Sequence, residues 1–286
     1  MVCCTNHSQL PFVVQIISNV PCLDVGGRPT QCFPFYVYDE DGSNRRENIT
    51  DWALAQFRAH YGDEGITKWD IFYYVYALLH HPTYRSKYAD NLKRELPRIP
   101  LNLTPPAPAA SLTHDGESTE ARQSGHREGE QRRAFWAFAE AGKRLADLHL
   151  NYETVEPYAL EYMWKAGKPA TYRVEKMRLT PLPNPLPASG EREQTRALVV
   201  NEALTLKGIP AEAFEYRLGN RSALDWVIDQ YQVKEDKRSH IKSDPNAYSE
   251  DEQYIVKLVG RVVQVSVETV AIVKGLPNLT PNPSQG

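Results

Sequence analysis

The chain has 286 residues, of which 41% are hydrophobic, and its formal net charge at pH 7 is −3. This length and apolar content are enough for one large domain or two small ones with a sizeable core. The slightly acidic balance excludes a uniformly basic protein, so a surface that binds nucleic acid would have to be a local patch.

The cysteines and the apolar runs indicate the compartment of the protein. The cysteines are Cys3, Cys4, Cys22 and Cys32. Neither C-x-x-C spacing nor clustered histidines accompany them, so they predict neither a zinc ribbon nor a disulfide framework. No apolar run approaches the ~20 residues that span a bilayer, and no basic segment with a hydrophobic core follows Met1. We therefore expect a cytoplasmic protein with reduced thiols and no membrane partner.

The first predicted elements are two short strands. Residues 11–18 and 33–38 combine β-branched and aromatic side chains, and turn-forming segments bound both runs. The second run ends before the pair Asp41-Gly42, which favours a turn. Part of a small antiparallel sheet is therefore expected near the start of the chain.

The loop after the second strand is a first candidate contact with DNA. Asn44 offers an amide for base edges, while Arg45 and Arg46 offer cations for phosphates. The alternative is that nearby carboxylates neutralise both arginines, as on an ordinary surface loop. These carboxylates are Asp39, Glu40, Asp41 and Glu47.

Three helices are predicted in the next segment. Thr50 and Thr67 are suited to cap the first two. The third has Tyr84, Tyr88 and Leu92 on one face. A tyrosine stripe along a helix is more typical of a core than of a platform for stacked bases, so we expect it to be buried.

Two adjacent histidines, His80 and His81, precede Pro82. Neighbours on a helix point about 100° apart, so the pair cannot easily chelate one metal ion without a third ligand. We expect no metal site here. The two histidines are instead expected to end the second helix, where the negative end of the helix dipole favours imidazoles.

Two polar, proline-rich segments interrupt the apolar patterns. Residues 102–131 and 179–195 are rich in proline, serine, glycine and charge without a hydrophobic period, and they are predicted to be disordered. Both share a Leu-Thr-Pro sequence with the tail at 278–286, which suggests in-frame copies of one repetitive DNA element. The alternative is a set of native linkers that resemble one another by chance.

The rest of the chain predicts helices and a hairpin. Phe135 and Leu145 belong to a helix that ends near His149. The runs YRVEKMRL and RALVVNEALTLKGIP, on either side of the second insertion, would pair as a hairpin with the insertion at its tip. The last helix is expected to follow a capping box of Ser249 and Glu252, with a strand over VVQVSV as the alternative.

The most clearly patterned element is a helix that begins near Ala223. Ser222 and Asp225 are spaced as an N-terminal cap and its partner. Four apolar side chains recur at i, i+3, i+4 and i+7 and form one face that must be buried. They are Leu224, Val227, Ile228 and Tyr231.

Cations and an amide flank this helix and form the second candidate contact with DNA. The cations and the amide before the helix lie beside the positive end of its dipole, where a phosphate can bind. The cations after the helix can bind a polyanion. The candidates are Arg217, Asn220, Arg221, Lys234, Lys237 and Arg238. The alternative is an ordinary connector whose arginines are solvated or paired with Glu212 and Glu215.

Signatures of catalysis are largely absent. The sequence has no G-x-x-x-x-G-K-[ST] phosphate loop, which excludes ATP-driven translocation by this chain. The tripeptide Glu235-Asp236-Lys237 has the E-x-K form of a metal-dependent nuclease, with Asp225 or Asp229 as a further carboxylate. Both aspartates belong to the capped helix, whereas such sites normally lie on paired strands. We therefore keep the nuclease only as a weak alternative.

Five runs carry a family resemblance: CFPFYVYDEDGSNRRENITDWAL, ITKWDIFYYVYALLHHPTYR, NLKRELPRIPL, EYRLGNRSALDWVIDQYQV and GRVVQVSVETV. In this order they resemble the C-terminal target-recognition region of type ISP restriction-modification enzymes, over residues 12–277 apart from the two insertions. The resemblance implies a DNA specificity domain that binds double-stranded DNA. Such enzymes carry a nuclease, a helicase-like ATPase and an adenine-specific methyltransferase ahead of this region, and this sequence has no Asn-Pro-Pro-Tyr-type loop of the methyltransferase.

The combined prediction is an α+β fold, mostly helical, with a small antiparallel sheet or hairpins. Its predicted division is 1–101 (strands, then helices), 102–131 (insertion), 132–178 (recognition domain continued), 179–195 (insertion), 196–277 (helical part) and 278–286 (tail). We expect a DNA-recognition module, present as a fragment, with no catalytic residue, metal or cofactor of its own. The upstream methyltransferase and helicase regions would be partners if they are expressed separately. The alternative is a non-binding structural remnant of a disrupted gene.

Overall fold

The computed structural model describes residues 1–5, 11–21, 30–101, 119–180 and 195–279. The chain divides into two compact units, the first formed by Met1–Leu150 with Ile272–Gly286 and the second by Asn151–Ala271. Helices and small antiparallel sheets build each of them, which confirms the predicted α+β class. None of the helices in the described ranges is long and apolar enough to cross a bilayer.

Small antiparallel sheets open the first unit. Their strands are β1 (Val2–Thr5), β2 (Val13–Ile16), β3 (Gln31–Phe33), β4 (Tyr36–Val37) and β5 (Arg46–Glu47). One sheet has the order β2-β1-β3, and β4 pairs with β5. The strand predicted within 11–18 is confirmed. The run 33–38 is divided between β3 and β4, because Pro34 lies between them and has no N–H for a ladder.

The sequence pattern does not reveal β1. All four of its residues are buried, so they lack the alternation that marks a half-exposed strand. Cys3 lies opposite Cys32 across β1 and β3, with the two Sγ atoms 2.8 Å apart. Cys3, Cys4 and Cys32 are free thiols, as predicted, and Cys22 lies outside the described residues. Burial raises the pKa of both Cys3 and Cys4 to about 12.

The helices of the first unit are α1 (Asp51–Tyr61), α2 (Lys68–His80), α3 (Pro82–Lys87), α4 (Ala89–Leu92) and α5 (Thr119–Leu150). The predicted caps are confirmed: Thr50 accepts a backbone N–H of the first turn of α1, and Thr67 forms a capping box with Asp70. The third predicted helix is divided into α3 and α4. Tyr84 is buried and its hydroxyl donates to Arg98 O at 2.8 Å, which confirms that this tyrosine belongs to the core.

Helix α5 begins inside the segment predicted as the first insertion. Residues 119–131 form its first turns and are helical instead of disordered, while residues 102–118 lie outside the described residues. The reason is composition: this stretch is rich in glutamate, arginine and glutamine, which favour a helix even without a hydrophobic period. Further along, α5 packs closely on α2. A Cβ at Gly142 would lie 1.8 Å from Tyr73 O, so only glycine permits this approach.

The two histidines before Pro82 have structural roles. Nδ1 of His80 lies 2.9 Å from Tyr76 O, and burial lowers the pKa of this histidine to about 4. Helix α2 ends at His80 with His81 as its C-cap residue, which confirms that the two histidines end this helix, but His80 is neutral and brings no charge to the helix dipole. His81 caps α3, since its Nδ1 accepts Thr83 N at 3.2 Å. The described residues contain no group of three or more side chains suited to hold a metal ion.

The second unit combines a four-stranded sheet with helices. The sheet has the order β6-β9-β8-β7 and consists of β6 (Glu161–Trp164), β7 (Arg178–Leu179), β8 (Arg196–Val199) and β9 (Leu204–Ile209). Two hairpins follow, β10 (Arg217–Leu218) with β11 (Arg221–Ser222), and β12 (Lys234–Glu235) with β13 (Lys242–Ser243). The helices are α6 (Ala223–Gln230) and α7 (Tyr254–Lys274), the last of which ends in residues assigned to the first unit, and short 3₁₀ helices cover Ala211–Phe214 and Pro245–Ala247. The core includes Met177, Leu198, Leu206, Leu224 and Val259.

The hairpin predicted around the second insertion is confirmed. Leu179 pairs with Leu198, and Thr180 N donates to Ala197 O at 2.8 Å. Leu179 and Thr180 thus belong to the hairpin, and residues 181–194 lie outside the described residues. The chain leaves and re-enters the sheet at one place, which is the position where an added segment disturbs the fold least.

Residues 254–274 form a helix, which confirms the predicted helix over the alternative strand. Its start differs from the prediction, because Asp251 takes the place expected for Ser249. Asp251 O accepts Tyr254 N at 2.9 Å and its carboxylate accepts Gln253 N at 2.9 Å. Ser249 Oγ accepts only the N–H of Asp251, at 3.1 Å, so the predicted capping box with Glu252 does not form.

Candidate nucleic-acid interface

The segment before α6 is a tight hairpin. Arg217 pairs with Ser222 and Leu218 with Arg221, which leaves Gly219 and Asn220 as a two-residue turn. Gly219 has a φ of 73°, a left-handed conformation that glycine adopts without strain. The guanidinium of Arg217 donates to Asn220 O and so closes the turn. Arg217, Asn220 and Arg221 are all exposed, as a contact with DNA requires.

Ser222 and Asp225 form the predicted capping box. Ser222 Oγ accepts Asp225 N at 3.1 Å, and the Asp225 carboxylate accepts Ser222 N at 3.2 Å and Ser222 Oγ–H at 2.7 Å. Leu224 is buried and Val227, Ile228 and Tyr231 pack on the core, so the predicted face is confirmed. The cap has a consequence for ligand binding. Because a carboxylate already occupies the positive end of α6, phosphate binding at this hairpin must rely on the arginines.

Arg221 and Lys234 converge on Asp229. Arg221 Nη1 lies 3.3 Å from Asp229 Oδ2, and Lys234 Nζ lies 4.0 Å from the same oxygen. The guanidinium of Arg221 also lies over the ring of Trp226, 5.3 Å from its centroid. The carboxylate that pairs with Arg221 is thus Asp229, a residue of the helix that the sequence analysis did not name as a partner of the arginines. All three charged side chains are nearly half exposed, so these pairs are weak and can exchange for phosphate.

Lys237 and Arg238 lie at the tip of the hairpin formed by β12 and β13. Both are exposed, and neither forms an ion pair among the described residues. The carboxylate of Asp236 holds the turn by accepting the N–H groups of Arg238 at 3.0 Å and Ser239 at 2.7 Å. These two cations are therefore presented on a short, internally bonded turn.

The carboxylates of the nuclease alternative are engaged separately. Asp225 belongs to the capping box, Asp229 to the ion pairs with the two cations, and Glu235 lies 3.2 Å from Nδ1 of His240. Asp236 accepts bonds of its own turn. Among the residues that the structure describes, these carboxylates do not form a group of three or more that could hold a divalent cation.

The first candidate loop, between β4 and β5, lies in the first unit. Asp39 accepts Nδ2 of Asn44 at 2.7 Å and pairs with Arg46 at 2.8 Å. Local neutralisation, the alternative named for this loop, therefore holds for Arg46. The guanidinium of Arg45 lies 4.6 Å from the centroid of the Tyr36 ring and has no ion pair among the described residues. Arg45 is thus the cation of this loop that is best placed to bind an anion.

A further cationic surface in the second unit has no counterpart in the sequence predictions. A cleft of about 660 Å³ opens between residues 168–178 and the turn 199–203, and four of its lining side chains are cations. They are Lys168, Arg173, Lys176 and Arg178. The sequence signal that could have revealed this surface is the i, i+2 spacing of Lys176 and Arg178, which places two cations on one face of an extended segment.

Residues 1–258 match the family described as the Type ISP C-terminal specificity domain. The chain belongs to this family. The match confirms the resemblance of the first four sequence runs, while the fifth, at 260–270, lies beyond its end, and at the other end the match extends to β1, ahead of those runs.

Three solved structures share the fold of this chain, and two of them, LlaGI and LlaBIII, are Type ISP restriction-modification enzymes. A DrdV–DNA complex is 34% identical with a TM-score of 0.73, and LlaGI, as a nuclease-deletion mutant with a DNA substrate mimic, is 30% identical with a TM-score of 0.67. LlaBIII bound to DNA is 28% identical with a TM-score of 0.69. Each comparison covers 98% of this chain but only 25%, 21% and 16% of the respective enzyme. No curated protein matches the chain.

Proposed function

We propose that this specificity domain binds double-stranded DNA and recognises its sequence within a Type ISP restriction-modification system. The observation that carries the proposal is its similarity to three enzymes determined with DNA or a DNA mimic, along 98% of the chain. The exposed hairpins with cations and an amide add chemical support, since phosphate contacts position a protein on DNA and amides read base edges.

Each candidate residue has a role in this proposal. The phosphate contacts come from Arg217, Arg221, Lys234, Lys237 and Arg238, with Arg45 and Arg46 as contacts of the first unit. The amides of Asn220 and Asn44 contact base edges. Because Asp229 holds Arg221 and Lys234 through exposed pairs, DNA binding requires only that a phosphate replaces this carboxylate.

The proposal also names the partners of the domain and its compartment. Catalysis belongs to the nuclease, helicase and methyltransferase regions of the system, and the domain itself uses no metal and no cofactor. These regions are its partners if they are separate chains. The cytoplasm, where the DNA substrate lies, is the proposed compartment.

A specific observation favours a second candidate, a folded remnant that does not bind DNA. Three of the candidate cations already have a carboxylate beside them: Arg46 has Asp39, and Arg221 and Lys234 share Asp229. The formal net charge of −3 adds a weak repulsion from DNA. Such a remnant would keep its fold and lose its affinity.

The experiment that separates the two candidates is a binding titration of the full chain. Fluorescence anisotropy with a random duplex at low salt measures affinity, and repeated selection from a random pool measures sequence preference. We expect salt-dependent binding and enrichment of one sequence. A protein with a cooperative thermal transition but no binding at 50 mM salt, a condition in which non-specific binding is strongest, would establish the remnant.

A further inference from the structure

The cleft in the second unit differs from the two candidate hairpins in its charge balance. Its lining includes the four cations Lys168, Arg173, Lys176 and Arg178 but only two carboxylates, Glu175 and Glu202. Lys168 pairs with Glu202 at 2.7 Å, and Arg173 pairs with Glu175 at 2.9 Å and with Asp244, which lies outside the cleft, at 2.7 Å. Both carboxylates of the cleft are therefore paired, one with Lys168 and the other with Arg173.

The other two cations, Lys176 and Arg178, remain uncompensated. Both are exposed, and neither forms an ion pair among the residues that the structure describes. Met177 between them is 3% exposed and belongs to the core, so the two flanking side chains lie on the opposite face, toward the cleft. Two adjacent positive charges in a concave surface attract an anion more strongly than the same charges on a convex one.

Side-chain amides hold the irregular wall of the cleft in place. Asn246 accepts Val174 N at 2.8 Å and donates to Val174 O at 2.8 Å. Asn201 donates to Thr171 O at 2.8 Å and to Arg173 O at 2.9 Å. Val174 is fully buried, which anchors the same segment in the core. The wall is therefore ordered before any ligand binds, which reduces the entropy lost on binding.

We propose that this cleft binds the phosphate backbone of duplex DNA through Lys176 and Arg178, an assignment that rests on the proposed function. The group that these two cations recognise is phosphate, which is present both in a DNA backbone and in a free nucleotide. The backbone is favoured because both cations are exposed and adjacent at an open surface, which suits successive phosphates of a polymer. Lys168 and Arg173, held in exposed pairs, extend the positive surface on the same wall.

The test is a salt titration of the full chain with the double variant Lys176→Ala/Arg178→Ala. Loss of two phosphate contacts lowers the slope of log K against log salt by about 1.8, so the affinity loss at 50 mM salt exceeds that at 200 mM by about 12-fold. The charge-retaining variant Lys176→Arg/Arg178→Lys is expected to keep the wild-type slope. A control of equal charge is Lys93→Ala/Arg98→Ala in the first unit, where the two cations pair with Asp90 and Glu95, and it too should keep the slope.

Each outcome decides the proposal. If the wild type binds DNA and the double variant has the same salt slope as the control variant, the cleft does not bind the phosphate backbone, and the proposed function is unaffected. A wild-type protein that binds no duplex overturns both. ATP titrated into the protein without DNA, with sodium chloride of equal ionic strength as the reference, identifies the source of the phosphate: ATP binding that the double variant loses, together with a wild-type salt slope of that variant for DNA, would assign the cleft to a free nucleotide and refute the backbone.

Discussion

Replacement of Asp229 by asparagine is expected to strengthen DNA binding. The carboxylate holds Arg221 at 3.3 Å and Lys234 at 4.0 Å, and a bound phosphate must replace it. Asparagine has the same shape and removes only the charge. Exposed pairs contribute 0.2–1 kcal/mol each, so release of both cations is expected to lower the free energy of binding by about 1 kcal/mol, or about five-fold in Kd. The same two pairs are lost from the unbound folded domain, so the unfolding free energy is expected to fall by no more than about 1 kcal/mol.

Anisotropy titrations with a random duplex between 50 and 300 mM salt and a thermal melt test this expectation. A matched control is Asp90→Asn, which removes one exposed carboxylate from an ion pair with Lys93 in the first unit. An unchanged Kd for Asp229→Asn, with a melt like that of the wild type, would refute phosphate binding by Arg221 and Lys234. A gain of equal size in the control would show an effect of net charge alone.

Three further predictions concern stability. Deletion of residues 181–194, with a short glycine turn between the strand ends, is expected to change Tm by only a few degrees in calorimetry, since the ends already meet in a hairpin. The pKa of His80 is about 4 when folded and ~6.5 when unfolded, so the unfolded state takes up the proton first and stability falls with pH below about 6.5. Burial also lowers the pKa of His149, to about 3, so urea unfolding should show a loss at pH 5 of which about 2 kcal/mol disappears in His80→Gln. Gly142→Ala should destabilise the protein by several kcal/mol, whereas Gly129→Ala on the same helix, with its nearest contact at 3.9 Å, should be neutral or stabilising; equal Tm values would contradict the close packing.

Elements with local signals could be predicted from the sequence. The capping boxes of α2 and α6 place a hydroxyl and a carboxylate three residues apart, and the geometry depends only on that spacing. The apolar face of α6 follows from the same local period. Strand β1 and the first turns of α5 were beyond this reasoning. Strand β1 is buried on both faces, so its sequence shows no alternation of polar and apolar residues. The first turns of α5 are helical because of residue propensity, and their sequence has no apolar face.

The sequence by itself determined the family, the α+β class, the starts of α1, α2 and α6, and the position of the second insertion at a hairpin tip. Which cations are uncompensated was decided only by the tertiary structure. Arg173 is paired with Asp244, which is 71 residues away in the chain, and Lys176 and Arg178 face a cleft whose other wall is the turn 199–203. The physical reason is that electrostatic compensation depends on distance in space and not on distance along the chain.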